Sequence, residues 1–334
     1  MGTDALVAVR AGACRVSRVV VVGATGHVGS WLVPDLVRAG HDVVAFSRGT
    51  REPYRADDAW SQVERVVADR DALDADGTFA AAVSEHSPDV VIDMVCFTPA
   101  SAQALVDGLA GRVQRLVTCG TVWVHGATVV APIRETDPRR PYGDYGVQKA
   151  AVEKIVLDAS DRLPATVLHP GHISGPGWPV VNPVGNLDPQ VWRTLAAGEP
   201  LAVPLDGVAT MVHVHAADVA QAFLAAVDAP GAVGRAFHVV ADRAASTRGL
   251  AEAAAGWFGR EADLRPVTWE EFGATTTAEH AQASRDHLQR SHVMSIDAAR
   301  EHLGYVPQYT PDQALREAVE WLSEHGELEG VQFP

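Results

Sequence analysis

Short apolar runs alternate along this chain with stretches whose apolar residues recur at helical spacing. Residues 18–22 read RVVVV and stop at Gly23, the pattern of a strand buried on both faces in a parallel sheet. Residues 27–39 carry Val28, Trp31, Leu32, Leu36 and Val37 at helical spacing and end at Gly40, a residue suited to the turn that closes a helix; Pro34 sits early enough to be tolerated. Further strands are predicted at 42–46, 63–67, 89–95, 113–118, 165–168 and 236–240, with helices at 78–84, 101–109, 145–159 and 217–227. This alternation predicts an α/β fold, a Rossmann-type doubly wound parallel sheet.

After Pro170 the texture changes. Residues 169–189 are rich in Gly and Pro with little periodicity, and a loop of that length in a compact chain is usually functional. The C-terminal third is mostly helical, at 247–258, 269–272, 296–303 and 311–323. The expected organisation is a nucleotide-binding domain over 18–168, with returning segments near 211–240. A smaller, mostly helical substrate-binding lobe then covers 169–210 and 241–330.

Composition narrows the class. At 334 residues and 47% hydrophobic, the chain can bury a large core. No apolar run approaches the roughly 18 residues of a membrane span. Residues 1–17 are interrupted by Asp4 and Arg10 and read as a leader before the first strand rather than a secretory signal. The net charge of −15 argues against nucleic acid as a partner. Cys14, Cys96 and Cys119 are too few and too scattered for a disulfide framework or a zinc site, which fits a reducing cytoplasm. Of the 27 basic residues, 25 are Arg; the only lysines are Lys149 and Lys154.

The first strand feeds Gly23-Ala24-Thr25-Gly26-His27-Val28-Gly29. Glycines at this spacing let the chain turn sharply and bring its backbone against a pyrophosphate. The last one lets the following helix pack on the strand, and the helix N-terminus meets the phosphate charge. The end of the second strand, Phe46-Ser47-Arg48-Gly49, lacks the acidic residue that would bind the ribose 2′-hydroxyl of NAD. Arg48 is a fork suited to the 2′-phosphate of NADP; stacking on the adenine, which would serve NAD, is the alternative. Asp69 is placed either to touch the adenine amino group or to cap a loop or helix.

Tyr145 and Lys149 lie four apart on the predicted helix and so share a face. Lys149 would lower the phenol pKa and let Tyr145 exchange a proton with a substrate oxygen. With five Tyr and two Lys, chance yields only about 0.03 such pairs. In a chain this rich in Arg, a retained lysine marks a place where a guanidinium would not serve.

With these residues in view, the chain resembles the extended short-chain dehydrogenase/reductase superfamily, the NAD(P)-dependent epimerase/dehydratase group, over roughly 18–325. The match lies in GATGHVG, VTCGTVW, YGVQK with Glu153, HPGHISGPG, VHAADVA and LGYVP. FSRG and ADRD are similar to the branch that contains chloroplast stem-loop-binding proteins. The resemblance implies a dinucleotide held by Gly23, Thr25, Gly26, His27, Val28, Gly29, Arg48, Asp69, Lys149 and Pro170. It also implies a hydroxyl after the fifth strand that bonds the reacting oxygen. Cys119 occupies that position, and a thiol is a poor donor; Thr118 or Thr121 would take over, with Thr121 preferred, or else the site is altered. Gly120 and Thr121 replace the Asp-Glu pair of sugar 4,6-dehydratases, which disfavours that dehydration. Met211 stands where nucleotide-sugar enzymes place a diphosphate-gripping Arg, and Arg290 is the candidate substitute.

Trp123, His172 and Arg290 are candidate substrate contacts. His172 is either an extra acid/base or a loop histidine bonding backbone. His213 and His215 share a strand face as metal ligands might, but no third ligand sits at sensible spacing, and no metal is expected. The expected activity is hydride transfer between NADP, alternatively NAD, and a hydroxyl/ketone carbon of a polyhydroxylated, sugar-like substrate, possibly a nucleotide-sugar. The alternatives are an NADPH-dependent ketoreductase of a small metabolite and a non-catalytic cofactor- or RNA-binding protein. The resemblance also implies a homodimer joined through helices 101–109 and 145–159.

Overall fold

The computed structural model describes residues 16–334; Cys14 and nearly all of the expected leader lie outside the described residues. Seven parallel strands form the central sheet: β1 (Arg18–Val22), β2 (Asp42–Ser47), β3 (Glu64–Val67), β4 (Val90–Asp93), β5 (Arg115–Cys119), β6 (Ala165–Pro170) and β7 (Arg235–Val239). Their order is β7-β6-β5-β4-β1-β2-β3, so the chain reverses direction between β1 and β4. In doubly wound sheets ligands bind outside the carboxyl ends of the strands at that reversal.

Successive strand residues point to opposite faces, and both faces are covered. Val19, Val21, Val43, Ala45 and Ile92 enter one core with helices α1 (Gly29–Arg38) and α7 (Ala216–Asp228). Val20, Val22, Val44, Phe46 and Val91 enter the other. That second core is closed by α3 (Phe79–Ser84), α4 (Pro99–Leu109) and α5 (Asp144–Asp158). Burial on both sides explains why these strands read as unbroken apolar runs rather than alternating ones.

A separate apolar core collects Trp192, Leu195, Val203, Leu250, Leu315 and Leu322. It is built by α6 (Gln190–Ala197), α8 (Thr247–Trp257) and α12 (Pro311–Glu324), beside a short parallel pair, Leu201–Pro204 and Leu264–Val267. Met294, Ile296, Ala299, Leu303 and Tyr305, in a segment expected to be lobe, pack instead with α7 beneath the main sheet. Pattern reading finds α9 (Trp269–Gly273) and α11 (Asp297–Leu303) but misses α2 (Arg70–Ala75), α6 and α10 (Ala278–Leu288). The reason is plain for α10, which buries only Ser284 and Leu288 and so has no apolar stripe. The loop after Pro170 is also more regular than its composition implies: His172–Ser174 pairs in parallel with His213–His215. Among the described residues no helix is long and apolar enough to cross a membrane.

Candidate active site

The turn between β1 and α1 is built around missing side chains. Gly23 sits at φ +88°, and a Cβ there would lie 3.0 Å from Val95 Cγ1. At Gly29 a Cβ would come within 2.2 Å of the Ala24 carbonyl oxygen, so helix and turn touch backbone to backbone. Gly26 donates its N–H to Gly23 O at 3.0 Å. Val28 precedes the helix, whose first turn holds no acidic residue, leaving its N–H groups suited to an anion. His27 stacks on Trp178 (5.6 Å, 7° between planes), and its buried Nε2 has no partner. Tyr54 packs over Gly177 and donates to His27 O at 3.3 Å. These residues fit a dinucleotide pyrophosphate: a cradle a single methyl would fill, and a helix end free of negative charge. Thr25 is half-buried within the turn, and Pro170 is buried at the end of β6, paired with Val239.

At the adenosine end, Arg48 is exposed just past β2. Asp69 takes the second of its two expected roles: it is the N-cap of α2, with Oδ1 accepting from the N–H of Asp71 (3.0 Å) and Ala72 (3.3 Å). That commits one carboxylate oxygen to the helix; Oδ2 takes part in neither bond. Its neighbour Arg70 was not singled out by sequence. It turns inward, donates to both oxygens of fully buried Asp93 at 2.7 Å and lies 4.2 Å over the Phe79 ring.

The candidate reaction centre lies where α5 meets the end of β5. Tyr145, Lys149 and Glu153 lie on one face of α5, one turn apart. Lys149 is 1% exposed; its ammonium donates to the carbonyls of Cys96 and Cys119, both at 2.8 Å, and lies 4.6 Å over Phe97. Tyr145, 43% exposed as a residue, leans edge-on against Trp123 at 5.6 Å. Loss of solvent around its hydroxyl and the neighbouring Cys119 push the phenol up to about 12, while the nearby Thr121 hydroxyl pulls it down. This net direction is opposite to the lowering expected from Lys149, whose ammonium is held by two carbonyls. Cys119 Sγ is 3.7 Å from Gly120 O, and burial raises its pKa, so the thiol stays neutral.

Thr121 is held from behind by residues that were not singled out as site residues. Its N–H donates to His169 Nδ1 at 2.8 Å, and His169 Nε2 faces Glu153 at 3.3 Å. Glu153 is gripped by both Nε and Nη2 of Arg139. Burial opposes ionisation of Glu153, but His169 and Arg139 hold it well below the usual carboxylate range. Gly120 is what lets His169 approach, since a Cβ there would lie 2.3 Å from Nδ1.

The histidines divide. His125 faces His238 Nε2-to-Nε2 at 2.9 Å, away from Tyr145. His215 stacks on Tyr309 and meets Glu317 at 3.2 Å. His172 contacts His213 (5.2 Å) and His287 (5.1 Å) beside the Val212 main chain. Trp123 links His287 (5.0 Å) to Tyr145. Among the described residues no group of His, Cys, Asp and Glu could hold a metal ion. Arg290, the candidate substitute anion clamp, is 1% exposed and stacked between Trp123 (3.7 Å) and Tyr142 (4.0 Å). Its Nη1 donates to Asp286 O and its Nη2 to Tyr142 O, while its buried Nε has no partner.

Burial pushes His27, His215 and His292 down to about 4 and His125 and His213 to about 3. An unfolded chain protonates these rings near 6.5, so their stability contribution is complete above that pH and is lost as pH falls toward 4. Each ring costs up to about 1.4 kcal/mol per pH unit in that window. The thermal midpoint is therefore expected to drop steeply between pH 7 and pH 5 in calorimetry; a flat profile there would contradict these buried neutral rings.

A profile of the NAD dependent epimerase/dehydratase family matches residues 19–240. A 2′-dehydrokanamycin reductase from Streptomyces kanamyceticus is 31% identical over 213 residues, covering 61% of this chain and 56% of that protein. A UDP-glucose 4-epimerase from Lacticaseibacillus casei is 25% identical, covering 92% and 98%. In fold, the crystal structure of a UDP-glucose 4-epimerase from Thermotoga maritima aligns with TM-score 0.71 at 18% identity, covering 92% of this chain and 99% of that one.

Proposed function

The chain belongs to the NAD dependent epimerase/dehydratase family, and from that premise we propose that it moves a hydride between a nicotinamide dinucleotide and a hydroxyl/ketone carbon of a sugar-like substrate. The observation that carries this reading is Tyr145 standing one helical turn from the buried Lys149, whose ammonium is held by the carbonyls of Cys96 and Cys119. A bound dinucleotide supplies the hydride donor or acceptor and, when oxidised, a positive charge. The residues supply the rest. Tyr145 rests as a phenol and gives its proton to a carbonyl oxygen as that oxygen becomes a hydroxyl; in the reverse direction it takes the proton back. Thr121 steadies the same oxygen, filling the role left by Cys119. Lys149 ties the ends of two loops together below them.

In the epimerase form of this reaction the hydride returns to the opposite face of the same carbon. A one-way reductase is the second reading. It is supported by buried Met211 in place of a diphosphate-binding Arg. The test is to incubate the cofactor-loaded protein with UDP-glucose and with free ketosugars. An epimerised product with no net change in nicotinamide absorbance supports the first reading, and stoichiometric oxidation of reduced cofactor the second. Absence of both, together with salt-sensitive RNA binding, would replace them with a non-catalytic role. The scattered cysteines support a cytoplasmic setting.

We assign Arg48 to the adenosine 2′-phosphate and the cofactor to NADP, on its exposure at the end of β2 with no carboxylate beside it. Arg48→Asp is then expected to weaken NADP by tenfold or more while leaving NAD nearly unchanged, about the value of a charge-assisted pair. Equal losses in a fluorescence titration would reduce Arg48 to a stacking role. We also propose a homodimer through α4 and α5, where Val147 on α5 is 49% exposed. Light scattering at micromolar concentration should give twice the chain mass; a monomer refutes it.

A further inference from the structure

Behind Thr121 stands one imidazole whose proton arrangement is fixed by its partner. The Thr121 N–H donates to His169 Nδ1 at 2.8 Å. A main-chain N–H can only donate, so Nδ1 presents a lone pair and the neutral ring keeps its hydrogen on Nε2. Nε2 faces Glu153 Oε1 at 3.3 Å, and Arg139 grips the same carboxylate. The close approach is built into the chain. His169 is fully buried near the end of β6, and a Cβ at Gly120 would lie 2.3 Å from its Nδ1 and 2.5 Å from its Cε1, so a side chain there would drive the ring off Thr121.

What this contact holds is the start of the segment beside Tyr145. Thr121 Oγ1 accepts from the Trp123 N–H at 3.3 Å and caps the single turn Val122–His125. Thr121 and Trp123 both neighbour Tyr145, so one ring nitrogen anchors the main chain that carries them. A second proton reverses the contact. An imidazolium carries hydrogen on both nitrogens, and Nδ1–H would then meet the Thr121 N–H across 2.8 Å, donor against donor. The charged and titratable groups around the ring are mixed. Glu153 on α5 and Glu135 favour the cation, whereas Arg139, His125 and His238 on β7 (6.4 Å between rings) oppose it.

We propose that His169 is a positioning residue of the hydride-transfer site: its neutral ring places Thr121 against the reacting oxygen, and a second proton on the ring releases Thr121 and slows turnover. This rests on the reading of Tyr145 and Thr121 as the groups that meet the substrate oxygen. His169 touches neither substrate nor cofactor in this account and acts only through the Thr121 main chain.

Two measurements test it. The first needs neither turnover nor a variant: nitrogen-15 NMR of the full-length protein, titrated from mildly alkaline pH downward through the range in which it stays folded. The Thr121 amide is expected to shift with the same midpoint as the His169 ring nitrogens. The second is kinetic. His169→Leu should lower kcat by about tenfold or more while KM and cofactor affinity stay nearly unchanged, since Thr121 acts on the oxygen in the transition state. His169→Asn places a carbonyl oxygen where Nδ1 stands and cannot titrate. It should recover most of the rate and lose the low-pH fall of the parent, which a merely structural role would not produce. Three results overturn the proposal: a Thr121 amide that stays in place while His169 is protonated, a ring that gains no second proton in the folded protein, or an Asn variant no better than a folded Leu variant. If Tyr145→Phe keeps full turnover while the two NMR signals titrate together, the failure belongs to the catalytic reading alone.

Discussion

Tyr145→Phe is expected to leave a folded, dinucleotide-binding protein whose turnover is about 10²–10⁴-fold slower. The packing carries over, because the edge-on contact with Trp123 needs only the ring. What disappears is the proton carrier; the Thr121 hydroxyl remains, but it cannot titrate near neutral pH. Thr121→Val should cost less, since it removes an orienting bond rather than the proton. Cys119→Ser should cost least or raise activity, because the thiol touches only Gly120 O and a hydroxyl is a better donor. Lys149→Arg should also slow turnover: a guanidinium cannot copy a compact ammonium that bonds two carbonyls at 2.8 Å in a closed socket. The measurement is kcat/KM on a substrate verified with the parent protein, alongside circular dichroism and a cofactor titration. Full turnover in Tyr145→Phe would remove that residue from the chemistry and move His172 to the front as the remaining acid/base candidate.

Gly29→Ala should abolish dinucleotide binding while Gly26→Ala weakens it far less. The two substitutions add the same methyl group to the same turn. At Gly29 the new carbon meets Ala24 O at 2.2 Å, Ala24 C at 2.6 Å and Gly23 O at 2.7 Å, all of them backbone, so helix and turn must separate. At Gly26 the nearest atom within reach is Gly23 O at 3.1 Å, which a small shift relieves. Separating α1 from the turn moves the helix N–H groups away from the phosphates, and overpacking of this kind costs about 1–3 kcal/mol of stability besides. Titration of reduced cofactor with a thermal melt in parallel checks both. Comparable affinities for the two variants would mean that the turn does not grip the pyrophosphate.

The strands, the glycine turn and the Tyr145–Lys149 pair could be read from sequence because each rests on local spacing. β1, β2, β4, β5 and β6 are buried on both faces and therefore spell mostly apolar runs, whereas the edge strand β3 is largely exposed. The reaction pair needs only one helical turn. What escaped depends on contacts between distant segments. His287 enters the site on α10, a helix with no apolar stripe to betray it. Arg290 has the right charge for an anion clamp, but which way a guanidinium turns is decided by Tyr142 and Asp286. Asp69 caps a helix, α2, that its own pattern does not announce. The support of Thr121 by His169, Glu153 and Arg139 joins three separate stretches of chain, and no spacing rule connects them.

The closed socket around Lys149 bears on labelling. The other lysine, Lys154, stands 74% exposed on the same helix, paired only with Asp158. An acylating dye should therefore distinguish sharply between the protein's two lysine side chains, marking the outer one and sparing the one in the reaction centre. Because Lys154 lies on α5, a dye placed there would sit close to its counterpart in a paired molecule. Self-quenching of that fluorophore on concentration would then report assembly in a protein whose chemistry has been left untouched.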